Sequence, residues 1–317
     1  MIFRLPPTYN HPRMETLPLE TLQEILDWLP LEDQPTSRLT CKLFSQMIPR
    51  TPKYLHYLGL TNDDPKLVGQ AISRRPKYEN TICECAASKG SLKVLKWARA
   101  NGCPWDAWTC AYAAKNGHIH ILQWAHQNGC PWDELTCAWA ALNSYLEILQ
   151  WARANGCPWD IRTCAHAALD GNLKILEWAR ENGCPWDEVT CAYAADSGHM
   201  RILQWARENG CPWDARTCAY AALGGHLEVL QWARANGCPW DSWTCEYAAD
   251  EGHLEVLQWA RANGCPWDAS TCTYAAIKGH LEVLQYARQN ECPWDSQKCL
   301  RVSINHPRVQ EWILQNM

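Results

Sequence analysis

The sequence predicts an all-α protein, an α-solenoid of stacked helix pairs preceded by a small helical hairpin. Two observations carry this prediction. The tetrapeptide Cys-Pro-Trp-Asp occurs eight times at a constant spacing of 27 residues, from Cys103 to Cys292. Each 27-residue unit also holds two short apolar helical patterns, and helices of that length are marginal in water when isolated. A short unit copied many times therefore indicates a repeat array in which neighbouring units complete each other's core.

The first 50 residues differ in composition from the rest and contain no Cys-Pro-Trp-Asp. We expect residues 1–13 to be flexible and residues 14–50 to form a hairpin of two helices. Four apolar residues in the first helix follow the i, i+3, i+4, i+7 spacing of an amphipathic helix, namely Leu22, Ile25, Leu26 and Leu29. A segment of about 35 residues is too small to bury its own core, so this hairpin invites a partner protein.

Sequence periodicity divides the remaining chain into a linker with a degenerate capping half-repeat (51–81), eight repeats (82–297) and a C-terminal capping repeat (298–317). The half-repeat is indicated by Val68 and Ala71, which lie 27 residues before Leu95 and Ala98. Atypical end units are expected because their outer faces meet water instead of a neighbour.

The repeat that spans residues 217–243 illustrates the unit. Its first helix follows the N-cap Asp214 and has a stripe of small residues at the i, i+3, i+4 spacing, Cys218, Ala221 and Ala222. Its second helix follows Gly225 and places Leu227, Leu230 and Ala233 on one face. Small residues on the first helix let the next unit approach closely.

This unit resembles the ankyrin repeat. The resemblance rests on the runs Ala219-Tyr220-Ala221-Ala222 and Gly225-His226-Leu227-Glu228-Val229-Leu230, with a closing Gly237. The resemblance implies ankyrin-like helix pairs, although Cys238-Pro239-Trp240-Asp241 replaces most of the β-hairpin finger of the 33-residue ankyrin pattern. Similar short Cys-Pro-Trp-Asp arrays are typical of large DNA viruses of protists, which is what the resemblance suggests for the source and for a host–virus interaction.

The N-terminal hairpin resembles the F-box, the motif by which substrate receptors dock on the Skp-type adaptor of SCF (Skp–cullin–F-box) ubiquitin ligases. It matches at Leu17, Pro18, Glu20, Leu22, Ile25, Leu26, Leu29, Pro30, Asp33, Arg38, Leu39, Cys41, Lys42 and Phe44, and departs at Gln34, Pro35, Ser37 and Thr40. The resemblance implies that the adaptor-binding residues are Leu17, Pro18, Leu22, Ile25, Leu26, Leu29, Leu39, Cys41, Lys42 and Phe44. The alternative is a hairpin that only caps the first repeat.

Composition argues against several other classes of protein. The formal net charge of −5 disfavours a nucleic-acid surface, which needs a concentrated basic face. No apolar stretch approaches the roughly 18 residues that a membrane span requires. Prolines interrupt the start, MIFRLPPTYN, where a secretory signal needs an unbroken apolar core. We therefore expect an intracellular protein with reduced thiols, in the cytoplasm or in both cytoplasm and nucleus.

Three recurring residue types suggest chemistry but favour architecture. The paired cysteines have six residues between them, whereas paired zinc ligands usually have two to four. They therefore fit structural thiols better than zinc ligands or disulfides. His226 and its equivalents follow a glycine, where the ring can bond the local turn. Trp105, Trp124 and their equivalents fit ladders between units better than an aromatic platform for single-stranded nucleic acid. No catalytic motif, metal site or cofactor site is expected.

Recognition is expected at positions that vary while the rest of the repeat stays constant. The variable pair after each Asp includes the predicted target-binding residues Trp108, Leu135, Arg162, Val189, Arg216 and Trp243. Trp, Tyr and Arg supply most binding hot spots. The sequence thus predicts a monomeric, non-enzymatic substrate receptor whose hairpin holds the Skp-type adaptor and whose array holds a target protein. The alternative is a scaffold or decoy that binds a partner through the array alone.

Overall fold

The computed structural model describes residues 59–74 and 81–317. The chain divides into two units, Met1–Glu79 and Asn80–Met317. The predicted flexible segment 1–13 and hairpin 14–50 lie outside the described residues. In the first unit, helix α1 (Pro65–Arg74) follows a turn at Asp64, whose Oδ1 accepts a hydrogen bond of 2.9 Å from the backbone N–H of Lys66.

The second unit is an array of helix pairs. Its first helices are α2 (Ile82–Lys89), α4 (Ala107–Lys115), α6 (Glu134–Leu142), α8 (Ile161–Leu169), α10 (Glu188–Asp196), α12 (Ala215–Leu223), α14 (Ser242–Asp250), α16 (Ala269–Lys278) and α18 (Ser296–Val302). Its second helices are α3 (Leu92–Ala100), α5 (Ile119–Gln127), α7 (Leu146–Ala154), α9 (Leu173–Glu181), α11 (Met200–Glu208), α13 (Leu227–Ala235), α15 (Leu254–Ala262), α17 (Leu281–Gln289) and α19 (Pro307–Gln315). No strand occurs in residues 59–74 and 81–317, and the predicted all-α solenoid is confirmed.

Each first helix from α4 to α16 begins at the aspartate of Cys-Pro-Trp-Asp. In α14, the extended backbone of Asp241 turns its carboxylate onto the N–H of Trp243, at 3.0 Å. A carboxylate at this position satisfies a backbone donor and favours the positive end of the helix dipole. The invariant aspartate therefore fixes where each first helix starts.

The two helices of a repeat bury different side chains. The first helix buries Thr, Cys and Ala, as in Thr217, Cys218 and Ala221, whereas the second buries a larger pair such as Val229 and Leu230. First helices of successive repeats pack extensively against each other, while successive second helices scarcely touch. The small residues therefore allow successive repeats to approach each other more closely through their first helices than through their second helices.

The cysteines link neighbouring repeats through the core. The thiol of Cys130 donates to the backbone carbonyl of Asp106 in the preceding repeat, at 3.4 Å, and also hydrogen-bonds with Cys110. That hydrogen bond and burial raise the pKa of Cys110. Within the described residues all thiols are free, and no group of three or more His, Cys, Asp or Glu could hold a metal ion. The thiols therefore act here as small, weakly polar packing groups.

A ladder of arginine and tryptophan side chains runs along the loops between the helices. In repeat after repeat the pattern is that of Trp240, which lies edge-on to Trp259 at a centroid distance of 6.0 Å. The guanidinium carbon of Arg234 lies 4.1 Å from the Trp240 ring centroid, and its Nη1 donates to the carbonyl of Cys238. The predicted tryptophan ladder between units is confirmed, and the structure adds an arginine to every rung except that of Trp132, where His126 stacks on the ring.

The recurring histidine bonds a different partner from the one expected. The sequence suggests a bond to its local turn, but Nε2 of His253 lies 3.0 Å from the carbonyl oxygen of Leu223 in the preceding repeat. Its ring occupies the space beside Gly225, where a Cβ would lie 2.6 Å from the ring, and Gly225 also has φ +73°. The Gly-His pair therefore joins neighbouring repeats, and glycine is required for both space and backbone conformation.

One repeat junction breaks this rule. Ser144 stands where the other repeats have glycine and keeps a left-handed backbone, with φ 61°. Its hydroxyl donates to Asp170 and accepts from the amide nitrogen of Asn172, at 2.7 Å. Those two contacts hold a conformation that costs a non-glycine residue roughly 1–2 kcal/mol.

Candidate protein-binding surface

The first helices leave one side uncovered by their neighbours, and we call it the inner face. It consists of the second, sixth and ninth residues of each first helix from α4 to α16, none of which is buried. These positions share one side of a helix because they follow the i, i+4, i+7 spacing. By position they are Trp108, Leu135, Arg162, Val189, Arg216, Trp243 and Ser270; Tyr112, Trp139, His166, Tyr193, Tyr220, Tyr247 and Tyr274; and Lys115, Leu142, Leu169, Asp196, Leu223, Asp250 and Ile277.

All six target-binding residues predicted from the sequence lie on the first row of this face. Of the apolar residues among them, Trp108 and Trp243 are the most open, at 42% and 48% exposed. Tryptophan is among the residue types that supply most binding hot spots, so rings of this exposure are suited to contact a partner. The structure thus brings the predicted residues into one row, although it contains no partner that would test their role.

The sixth positions form a nearly continuous row of rings along the inner face. Tyr193 stacks on Tyr220 at a centroid distance of 6.3 Å, and Tyr220 lies 6.2 Å from Tyr247. At the other end, Trp139 lies 5.2 Å from Tyr112 and 5.4 Å from Trp108. These mutual contacts hold the rings in place. Binding of a partner segment would therefore immobilise few additional side chains of the inner face, which lowers the entropic cost of binding.

His166 interrupts the aromatic row. Its Nδ1 lies 3.2 Å from the carbonyl oxygen of Ala138 in the preceding repeat, and burial lowers the pKa of its imidazole. The ring is therefore neutral at pH 7 and donates to that carbonyl through Nδ1. It acts as a spacer between the two aromatic clusters.

The two inner-face arginines are held by the helix N-caps. The guanidinium of Arg162 pairs with Asp160 at 2.8 Å, and Arg216 pairs with Asp214 at 2.8 Å and more loosely with Glu188 at 3.8 Å. In each case one carboxylate oxygen caps the helix while the other accepts from the arginine. Sequence reasoning missed this pairing, although the Asp-x-Arg spacing at a helix start was its signal.

Sequence reasoning also missed the third row. Its members change from Lys115 through Leu142 and Leu169 to Asp196 and Asp250, so the chemistry of the surface changes along the array. The signal was the same i, i+4, i+7 spacing that links each variable pair to its aromatic residue. The inner face is therefore three residues wide, with Lys115 in its first repeat and the carboxylates of Asp196 and Asp250 in later ones.

The predicted adaptor-binding residues cannot be placed in the same way. Leu17, Pro18, Leu22, Ile25, Leu26, Leu29, Leu39, Cys41, Lys42 and Phe44 all lie outside the described residues. Their assignment depends on the sequence alone. The helices of the described residues include none that is long and apolar enough to cross a membrane.

Comparisons with known proteins define the class to which this architecture belongs. The F-box domain model matches residues 14–56, and the model for ankyrin repeats in many copies matches residues 82–126, 190–234 and 245–288. A search of curated proteins finds no match. The crystal structure of the human ASB11 ankyrin repeat domain is similar at 17% identity and a TM-score of 0.44, covering 57% of this chain and 97% of that one.

An uncovered row of aromatic rings on a repeat scaffold is typical of a protein that binds other proteins. This chain is an F-box and ankyrin-repeat protein. Both families are typically non-catalytic adaptors.

Proposed function

We propose that the protein is a substrate receptor of an SCF ubiquitin ligase. Its F-box docks the Skp-type adaptor, and its inner face binds the target protein that is to be ubiquitinated. The observation that carries the proposal is the combination in one chain of an F-box match at residues 14–56 with an array that presents an uncovered aromatic surface. A receptor of this kind acts in the cytoplasm or the nucleus.

The F-box half of the proposal depends on an apolar stripe. Leu26 and Leu29 share the amphipathic side of the predicted first helix with Leu22, in a segment too small to enclose them. An adaptor that covers this stripe would desolvate any charge placed there, and an unpaired buried carboxylate is costly. Two aspartates in this stripe should therefore abolish binding of the adaptor.

Co-purification with a Skp-type adaptor tests this half directly. We expect the wild-type chain to retain the adaptor and the Leu26→Asp/Leu29→Asp variant to lose it, with the helical circular dichroism of the array unchanged. A matched control carries the same chemical change at Ile304 and Leu314, which are 72% and 62% exposed at the end of the array. That control should bind the adaptor as the wild type does.

Two results would contradict the proposal. One is a wild-type chain that does not retain the adaptor. The other is equal retention by the Leu26→Asp/Leu29→Asp variant, which would leave the protein as a scaffold or decoy whose hairpin is only a cap.

A further inference from the structure

In the repeats whose first helices are α10, α12, α14 and α16, carboxylates lie at the C-terminal ends of two first helices, where the helix dipole disfavours negative charge. Asp196 and Asp250 are the last residues of α10 and α14, and Glu251 is the C-cap of α14. The C-terminal end of a helix dipole is negative, so an acidic residue there destabilises the helix. The last residue of the other first helices from α4 to α16 is basic or neutral, as with Lys115 at the end of α4, although Asp170 is the C-cap of α8.

These carboxylates are not retained for internal ion pairs. Asp196 has no ion pair among those within the described residues, and burial raises the pKa of its carboxyl. Asp250 and Glu251 share the single ammonium of Lys278, at 3.6 and 3.4 Å. Such exposed pairs contribute little to stability. The acidic positions therefore cost stability with little internal compensation.

A further carboxylate departs from the repeat pattern nearby. Glu246 occupies the position that is alanine in the two preceding repeats, Ala192 and Ala219, and it is only 7% exposed. Its Oε1 accepts from the hydroxyl of Ser242 at 2.7 Å. Burial, together with the neighbouring Asp268 and Asp241, raises the pKa of Glu246. Glu246 thus joins Asp250 and Glu251 as a carboxylate of the repeat that carries Trp243.

Aromatic rings lie beside these charges. Trp243 lies 6.1 Å from Tyr247, and the row continues through Tyr220 to Tyr193. The combination of ring faces with nearby carboxylates suits lysine and arginine side chains, since a cation can contact a ring and pair with a carboxylate at once. The cations already on this part of the face, Arg216 and Lys278, are both engaged by the chain's own carboxylates.

We propose that the inner face from α10 to α16 binds an extended segment of the target protein that carries lysine or arginine residues between apolar ones. The apolar residues of the segment contact Leu223 and the tyrosine row, and its cations lie over Trp243 and beside Asp196 and Asp250. The proposal rests on the proposed function insofar as this segment belongs to the target. It commits to a basic polypeptide because the surplus charge of this surface is negative.

The test begins with selection of a random peptide display library on the full chain, followed by measurement of the best peptide's affinity. We expect the selected peptides to be enriched in lysine or arginine with interspersed apolar residues. Two triple variants then locate the site. Asp196→Asn/Asp250→Asn/Glu251→Gln removes three charges from the inner face, and Glu228→Gln/Glu255→Gln/Glu282→Gln removes three from exposed positions of the second helices.

The inner-face triple should weaken binding on the order of tenfold, as expected for the loss of about three modest charge pairs. The second-helix triple has the same net charge and should change affinity less than about twofold. The single variant Asp196→Asn breaks no ion pair, so it should weaken binding while its melting temperature stays equal or rises. Weaker binding together with an equal or higher melting temperature distinguishes a binding residue from a structural one.

The proposal is overturned if selection yields no peptides, if it yields acidic or uncharged ones, or if both triples weaken binding equally. It is also overturned if Asp196→Asn leaves affinity unchanged. Adaptor co-purification is a separate measurement. A chain that selects basic peptides but never retains a Skp-type adaptor refutes the ligase role and keeps this site, and the converse result refutes only the site.

Discussion

The two aromatic rows of the array run side by side yet differ in what holds them. Trp240 lies between the guanidinium of Arg234 and the edge of Trp259, and the same three-part contact recurs along the array. Trp243 lies only three residues away, contacts Tyr247 and is 48% exposed. The ladder that contains Trp240 is nearly invariant and ties neighbouring repeats together. The inner-face row that contains Trp243 varies between repeats and remains open. Trp240 is thus enclosed by an arginine and a second tryptophan of the chain, whereas Trp243 leaves about half of its surface open.

Both rows are built on the same cysteine core. The largest effect that we expect is destabilisation of this core at alkaline pH. In the folded chain the Cys137 and Cys218 thiols each donate a hydrogen bond to a neighbouring thiol, and this bond together with burial raises their pKa above the ordinary value of 9.0. Burial raises the pKa of Cys83 to about 12. The unfolded chain ionises near pH 9 while the folded chain does not. The stability supplied by each such thiol is complete below pH 9 and falls by about 1.4 kcal/mol per pH unit above it.

Denaturant titrations at pH 8 and pH 10 measure this loss. With one such thiol in most repeats, we expect the free energy of unfolding to fall by several kcal/mol at pH 10, and both aromatic rows to lose order together. An unchanged denaturation midpoint at pH 10 would mean that the thiols are accessible and that the core is packed differently.

The repeat junction at Ser144 offers a smaller test of what the invariant positions contribute. Ser144→Gly should stabilise the chain by about 0.5–1 kcal/mol, because relief of the left-handed backbone exceeds the loss of the hydrogen bonds to Asp170 and Asn172. The reverse change at the next junction, Gly171→Ser, should destabilise it more, since a Cβ there would lie 2.7 Å from the ring of His199. Thermal unfolding of both variants checks the signs. A less stable Ser144→Gly would show that the two hydrogen bonds outweigh the backbone strain.

The smallest expected effect lies in the tryptophan ladder, where one rung lacks its arginine. His126 stacks on Trp132 at a centroid distance of 3.8 Å, in the place where Arg153 packs on Trp159 and donates to the carbonyl of Cys157. His126→Arg should add a cation–π contact and that hydrogen bond, stabilising the chain by about 0.5–1 kcal/mol. Arg153→His is the matched control and should lose a similar amount. If neither melting temperature moves, the arginines contribute nothing to the ladder.

The sequence could predict the fold because each recurring residue has one structural task. The spacing of Cys-Pro-Trp-Asp located the helix starts, and the Cys218 and Ala221 stripe located the packing side of the first helix. Pattern alone could not assign the partner of His253, because its ring bonds a residue 30 positions earlier. Only the stacking of repeats brings those two atoms together.

The binding surface was predictable in part. Variation between repeats identified Trp108 and Trp243 and their row, and the exposure of both rings agrees with an unpartnered surface. Variation could not reveal that Arg162 is already paired with Asp160. It also could not single out Asp196, since its significance lies in its place at the end of α10, and that end had first to be located.

The central claim is that adjacent tryptophans of one repeat serve different purposes, and the free energies of unfolding of Trp240→Ala and Trp243→Ala test it most directly. Both variants remove the same side chain from the same repeat. We expect Trp240→Ala to cost about 3 kcal/mol, through lost contacts with Arg234 and Trp259. Trp243→Ala should cost less than about 1 kcal/mol, as for an open surface residue. Equal losses of the free energy of unfolding in guanidinium denaturation would contradict the account. Both rings would then be packing residues, and Trp243 would not be available to bind a partner.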